Sequence, residues 1–217
     1  MTPYNTVPLY IPSLMQGSLI LPYMDATRDG ITAIGAVVNY YIGGTNNMPL
    51  SALVPAVAAG VSPFEGTTTF PALFDPDTAA VRSLANGEYS QQVKPFTVPP
   101  PPSGPGVVAS AFDLRYSLTS TSPYTEHTFH ALLNIPQLLN NGKCQRNTVY
   151  FNESTIAPKM TVGSVTLYYQ LLAKTPPAQI AGVYEGVYCY QANGQVVSSV
   201  GEDCKEAERN SDPQARV

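Results

Sequence analysis

The side chains best equipped for chemistry here are two histidines, three cysteines and four aspartates near turn signals. His127 and His130 fall in Thr125–Leu133, a segment that reads as a strand. Residues three apart on a strand face opposite sides, so this pair does not chelate one metal as a helical i, i+4 pair would. No Gly-x-Ser-x-Gly turn accompanies them, and a Ser–His–Asp triad has no support beyond its residue types. A milder chemistry is protonation of His127 or His130 below about pH 6.5, loosening a subunit contact. Cys144, Cys189 and Cys204 are odd in number and lack Cys-x-x-Cys spacing, which argues against a disulfide framework or a zinc site. Reduced thiols are the expectation, with a Cys189–Cys204 bridge as the alternative. Asp25, Asp29, Asp75 and Asp77 have the hard oxygen chemistry of a calcium site. A turn accounts for the first two and helix capping for the last two. Asn152-Glu153-Ser154 is a glycosylation sequon. No cationic and apolar leader is visible at the N-terminus, so the sequon is expected to be coincidental. The residues therefore point to a protein that is not an enzyme and holds no metal or cofactor.

Two alternating strands frame the chain. In Gly163–Leu172, Val165, Leu167, Tyr169 and Leu171 point one way, while Ser164, Thr166, Tyr168 and Gln170 point the other. In Val107–Thr119, Phe112, Leu114, Tyr116 and Leu118 share one face, and Ala111, Asp113, Arg115 and Ser117 share the other. The apolar set Val165, Leu167, Tyr169 and Leu171 is expected to fill a barrel. Further strands read at Ser18–Leu21, Ile31–Ile42, Asn147–Asn152 and Gly182–Tyr190, the last with Tyr184, Tyr188 and Tyr190 on one face. Asp75–Asn86 reads as a helix, with Asp75 at the N-cap, Pro76 at the first helical position and Gly87 as the stop. A second short helix is expected from Asn134 to Leu139, and a weaker one at Leu50–Ala59 around Pro55. Four consecutive prolines stiffen the loop 94–106 over roughly 12 Å.

These elements sum to an all-β chain: a jelly-roll or β-sandwich of about eight antiparallel strands with two short helices in connections. Residues 1–17 read as an extended Pro-rich arm, 18–190 as a single β domain, and 191–217 as a polar, acidic tail, mobile from Gly201 onward. Apolar residues make up 44% of the chain and charged residues 12%, about half the usual charged share. Such a surface suits a molecule covered by neighbours. The net charge is −4, and the first basic residue is Arg28, which excludes a chain that binds nucleic acid through a basic arm. The longest apolar run, Met48 to Phe64, is interrupted by Pro49, Pro55 and Pro63 and does not suit a membrane span.

The run Gly106-Val107-Val108-Ala109-Ser110-Ala111-Phe112-Asp113-Leu114-Arg115-Tyr116-Ser117 resembles a strand near the middle of the jelly roll in capsid (coat) proteins of small icosahedral positive-strand RNA viruses. Gly163–Leu172 is similar to their last barrel strand, a Gly followed by alternating Val and Tyr. The resemblance implies a viral structural protein that self-assembles with copies of itself, and with other capsid proteins, into an icosahedral virion shell made in the host cytoplasm. Tyr168, Gln170, Tyr184, Tyr188 and Tyr190 are then the expected subunit interface. The chain departs from the family's Lys/Arg-rich arm. Contact with genomic RNA falls to the scattered Arg115, Lys143, Arg146, Lys159 and Lys174. The alternatives are a protruding spike or receptor-binding domain, and an extracellular carbohydrate- or ligand-binding β-sandwich of the adhesin kind.

Overall fold

A computed structural model describes residues 14–44, 68–97, 107–108, 110–139, 141–151, 159–168 and 181–211. Its elements are β1 (Leu14–Met24), β2 (Ile34–Gly44), β3 (Thr68–Asp75), β4 (Arg82–Ser83), β5 (Tyr89–Thr97), β6 (Val107–Val108), β7 (Phe112–Leu118), α1 (Glu126–Leu133), β8 (Gln137–Leu138), β9 (Cys144–Gln145), β10 (Asn147–Phe151), β11 (Lys159–Leu167), β12 (Gly182–Gln191), β13 (Gly194–Ser198) and α2 (Cys204–Arg209). One sheet runs β12-β11-β7-β5-β3-β2-β8-β9, with β1 on β2 and both β4 and β6 on β5. A separate ribbon pairs β10 with β13. The protein is all-β with two short helices, as the strand pattern implies. Two pairings, β2 with β3 and β2 with β8, are parallel rather than antiparallel.

The alternation of β7 and β11 survives intact. Phe112, Leu114 and Tyr116 stand opposite Leu167, Val165 and Gly163 on one side and Val93, Gln91 and Tyr89 on the other. Residues directly opposite share a face, so this is the inner face. It leads into a core of Tyr41, Ala72, Phe74, Val93 and Ala111, with Met15, Phe70 and Phe112 packed against it. The sheet curls until β1 lies over that face: a Cβ on Gly17 would sit 3.3 Å from the Phe112 ring and 3.8 Å from that of Phe74. Val165 and Leu167 face inward as expected but are only half-buried. Tyr169, Gln170, Leu171 and Lys174 lie outside the described residues, as do the sequon, Leu50–Ala59 and the run of four prolines.

Several expectations are corrected. Asp75–Asn86 is not a helix: the Asp75 carboxylate takes the Arg82 guanidinium instead of capping amides, and Arg82–Ser83 pair with β5 through a tight turn that holds Gly87 at φ +82°. Asn134–Leu139 is not a helix either. The Asn134 side chain is spent on β10, and 137–138 form a strand. Thr125–Leu133 is the real helix, where Thr125 accepts from the Thr128 amide and the Thr128 hydroxyl faces the Thr125 amide in return. The arm ends by residue 14, where β1 begins. The tail carries β13 (Gly194–Ser198) and α2 (Cys204–Arg209).

The thiol expectation also fails. Cys144 and Cys204 form a disulfide across 60 residues of sequence, and Cys189 is the free thiol. Around the bond Ile34, Cys144, Cys204 and Ala207 make a second small core, with Leu138 against it.

Candidate interaction surface

The surface that stands out is the β10–β13 ribbon, and the helix α1 explains its state. An exposed strand edge presents unpaired N–H and C=O groups, which proteins often blunt by covering the edge. On the α1 side, β10 is covered. The Val149 amide donates to Asn134 Oδ1 at 2.8 Å, and the Val149 carbonyl meets His130 Nε2. The first bond fixes the amide orientation, because an N–H can only donate. His130 Nε2 lies between the Val149 carbonyl and Asn134 Nδ2, the latter at 3.3 Å. Asn134→Ala would leave the Val149 amide without a partner. The expected cost is about 1–3 kcal/mol, read by urea unfolding; an unchanged midpoint would show that the helix does not cover this edge.

Below this cap lies an aromatic cluster. Phe129 stacks on Tyr190 with ring centres 5.5 Å apart, Phe151 meets Tyr190 at 5.0 Å and His130 at 5.5 Å, and Tyr124 meets Tyr188 edge-on at 5.6 Å. Tyr188 and Tyr190, expected at a subunit interface, are half-buried and pack against aromatic rings of the same chain. The expected tyrosine stripe is broken as well. Gly186 sits at φ +69°, and the register passes from Gly163↔Val187 to Ser164↔Glu185. That bulge shifts the alternation by one residue, so Tyr184 falls on the opposite face from Tyr188 and Tyr190. Tyr184 and Tyr168 are exposed at the surface, and the Tyr168 hydroxyl donates to Asp113 Oδ2 at 3.0 Å.

The far side of the ribbon is open. Among the described residues β13 pairs with no strand but β10. Register places Val149 and Val196 on one face, and Thr148, Tyr150, Gln195 and Val197 on the other. Val196 is 58% exposed, Tyr150 53% and Val197 51%. Both faces of a two-stranded ribbon therefore carry accessible apolar groups. The sequence does signal this element, through Asn193-Gly194 followed by Val196-Val197, but the acidic residues after Gly201 mask it.

The basic residues considered for RNA do not form one patch by element. Arg115 is exposed on β7, Lys143 lies in the β8–β9 turn and Lys159 opens β11. Arg146 is committed internally. Its Nε donates to Glu202 Oε1 at 2.6 Å and its terminal nitrogen to the Asn210 carbonyl at 3.0 Å. This guanidinium, with the Ser199 hydroxyl assisting, holds the Glu202 carboxyl below its usual range. Asp25 and Asp29 are consumed by the β1–β2 turn as expected. Asp25 accepts from the amides of Asp29 and Gly30, and Asp29 from the hydroxyl and amide of Thr32 and the amide of Ile31. Those bonds, the Thr32 hydroxyl first, hold Asp29 far below the usual carboxylate range. No cluster of metal-ligating side chains occurs among the described residues.

Two described groups, Cys189 and Tyr116, are held in their protonated forms. Burial pushes the Cys189 thiol up, away from the thiolate form. Burial, with Cys189 and Tyr89 beside it, pushes the Tyr116 hydroxyl up to about 12. No described helix is long and apolar enough to cross a membrane.

The fold defines a class: an all-β protein with two short helices. The chain matches no family model, no curated protein and no solved structure.

Proposed function

We propose that this chain is a self-assembling structural subunit, a coat protein of the kind its β7 and β11 segments resemble. The observation that supports this most is the asymmetry of the ribbon: α1 covers the β10 edge, whereas β13 offers a strand edge with apolar groups on both faces. Gly194–Ser198 carries no charge, so two copies meeting edge to edge do not repel. A two-fold axis makes such an antiparallel pairing self-complementary. The low charged fraction fits a surface covered by neighbours. The buried disulfide suits the oxidising environment of a particle outside the cell. RNA contact through Arg115, Lys143, Lys159 and Lys174 stays within the proposal; Arg146 is withdrawn from it.

Electron microscopy and size-exclusion chromatography of the purified chain test the reading. Particles or defined oligomers are expected for the wild type, and Val197→Lys, which puts a charge on the exposed β13 strand, should shift the population to monomers. A wild type that stays monomeric at high concentration would sink the proposal. One feature favours a second reading, the carbohydrate-binding β-sandwich. A polar cleft of about 210 Å³ is lined by Asp75, Arg82, Gln92, Asp113 and Arg115, and Asp113 Oδ1 has no hydrogen-bond partner. Glycan binding by a monomer would select that reading.

A further inference from the structure

A cavity of about 220 Å³ opens beside the main core, where β1 and β2 face the ends of β7 and β11. Leu19, Tyr41, Ala111, Phe112, Val165 and Leu167 form its apolar wall, and no charged residue lines it. This is why Val165 and Leu167 stay half-buried. Two polar side chains, Ser18 and Asn39, complete the lining. Asn39 is 2% exposed, and its Nδ2 donates to the Tyr41 hydroxyl at 3.2 Å. Its Oδ1 has no hydrogen-bond partner. Buried acceptors are nearly always satisfied, and each exception calls for an explanation. An apolar pocket with a few polar groups is also the usual form of a small-molecule site, and Asn39 Oδ1 is the one buried acceptor here left without a partner.

We infer that this cavity binds a small, uncharged, apolar molecule bearing one hydroxyl, whose O–H donates to Asn39 Oδ1. The wall rejects anions for two reasons. A carboxylate presents only acceptors to an acceptor, and no cation stands near to offset its desolvation. A cavity of about 150 Å³ holds benzene, so an alkanol of about six carbons, or a phenol, is the right size. The inference does not depend on assembly through β13.

The test uses the full-length chain with three probes, hexanol, hexanoate at neutral pH and benzene, followed by saturation-transfer NMR and thermal shift. Hexanol should bind saturably, and hexanoate at least about tenfold more weakly. Asn39→Leu keeps the shape but removes the acceptor. It should lose at least about fivefold in hexanol affinity while retaining benzene. Val165→Phe fills the cavity from β11, leaves Asn39 in place and should abolish binding of both. If Asn39→Leu does not fold, the hexanol–hexanoate comparison and Val165→Phe still decide. Equal binding of hexanol and hexanoate, no saturable hexanol binding, or binding unchanged by Val165→Phe would each overturn the inference.

Discussion

Gly163→Ala is expected to destabilise this protein by about 3 kcal/mol or more, the upper end for an overpacked site. A Cβ at position 163 would lie 1.9 Å from the Arg115 carbonyl oxygen, 2.5 Å from Tyr116 Cα and 2.7 Å from Tyr116 Cβ. None of these atoms belongs to the far end of a flexible side chain. To make room, β7 would have to move, but it is paired with β5 on its other side. Tyr116 is 5% exposed and stacks on Tyr89 at 5.5 Å, so its ring has nowhere to go. The glycine also lies where the β11–β12 register shifts, so β12 would be displaced too. A fall in Tm of about 6–12 °C is expected at this chain length, measured by circular dichroism. Gly35→Ala is the control. Its nearest atoms are side-chain carbons at 3.6–3.7 Å, ordinary contact, and its Tm should stay close to the wild type. Equal melting of Gly163→Ala and wild type would mean that β7 and β11 do not approach this closely.

Gly163 also shows what the sequence makes legible. It reads there as the opening of a strand, whereas it lies inside β11, which begins at Lys159. The alternation on either side is nonetheless right, because a two-residue period is a local property that partner strands inherit unchanged. The same holds for β7. What fails depends on partners distant in sequence. Asp75, Pro76 and Gly87 form sound helix grammar, yet Arg82 competes for the carboxylate and β5 for the backbone. Thr125–Leu133 has threonines and aromatics that suit a strand, but Thr125 and Thr128 cap it as a helix. The tyrosine stripe misleads because Gly186 inserts one residue into the period. The orphan oxygen of Asn39 is invisible without the fold, since nothing in Ile31–Ile42 marks that asparagine as buried. The open edge of β13 is hidden for a similar reason: it is defined by what α1 covers on β10, and α1 lies more than sixty residues earlier.

Removing the Cys144–Cys204 bond, by Cys144→Ser with Cys204→Ser or by a reductant, is expected to cost about 2–5 kcal/mol. Closing a 60-residue separation accounts for about 4 kcal/mol in the loop-entropy model. The native state should feel the loss locally as well. Cys144 is fully buried and Cys204 8% exposed, so two serines would place hydroxyls in the apolar cluster with Ile34 and Ala207. The helix α2 has six residues, too few to persist without tertiary support. Its other ties include the mutual backbone bonds of Cys144 and Glu202 at 2.9 Å, the Arg146 guanidinium on Glu202 and on the Asn210 carbonyl, and an ion pair from Lys205 to Asp29 at 3.1 Å. The Lys205 pair is solvent-exposed on the lysine side and contributes little. Without the disulfide, 199–211 should therefore detach before the main sheet melts, and limited proteolysis should cut there first. The effect reaches the proposed contact edge. The Ser199 amide donates to the Arg146 carbonyl at 2.9 Å, and the Ser199 hydroxyl accepts from the Arg146 amide at 3.1 Å, which pins the end of β13 to the start of β10. Once that anchor loosens, β13 presents a frayed edge, and oligomers built on it should dissociate in reductant at temperatures where circular dichroism still reports an intact sheet. Oligomers that survive reduction while 199–211 is cleaved would place the contact elsewhere, and a melting temperature unchanged by both serines would show that the bond does not hold α2.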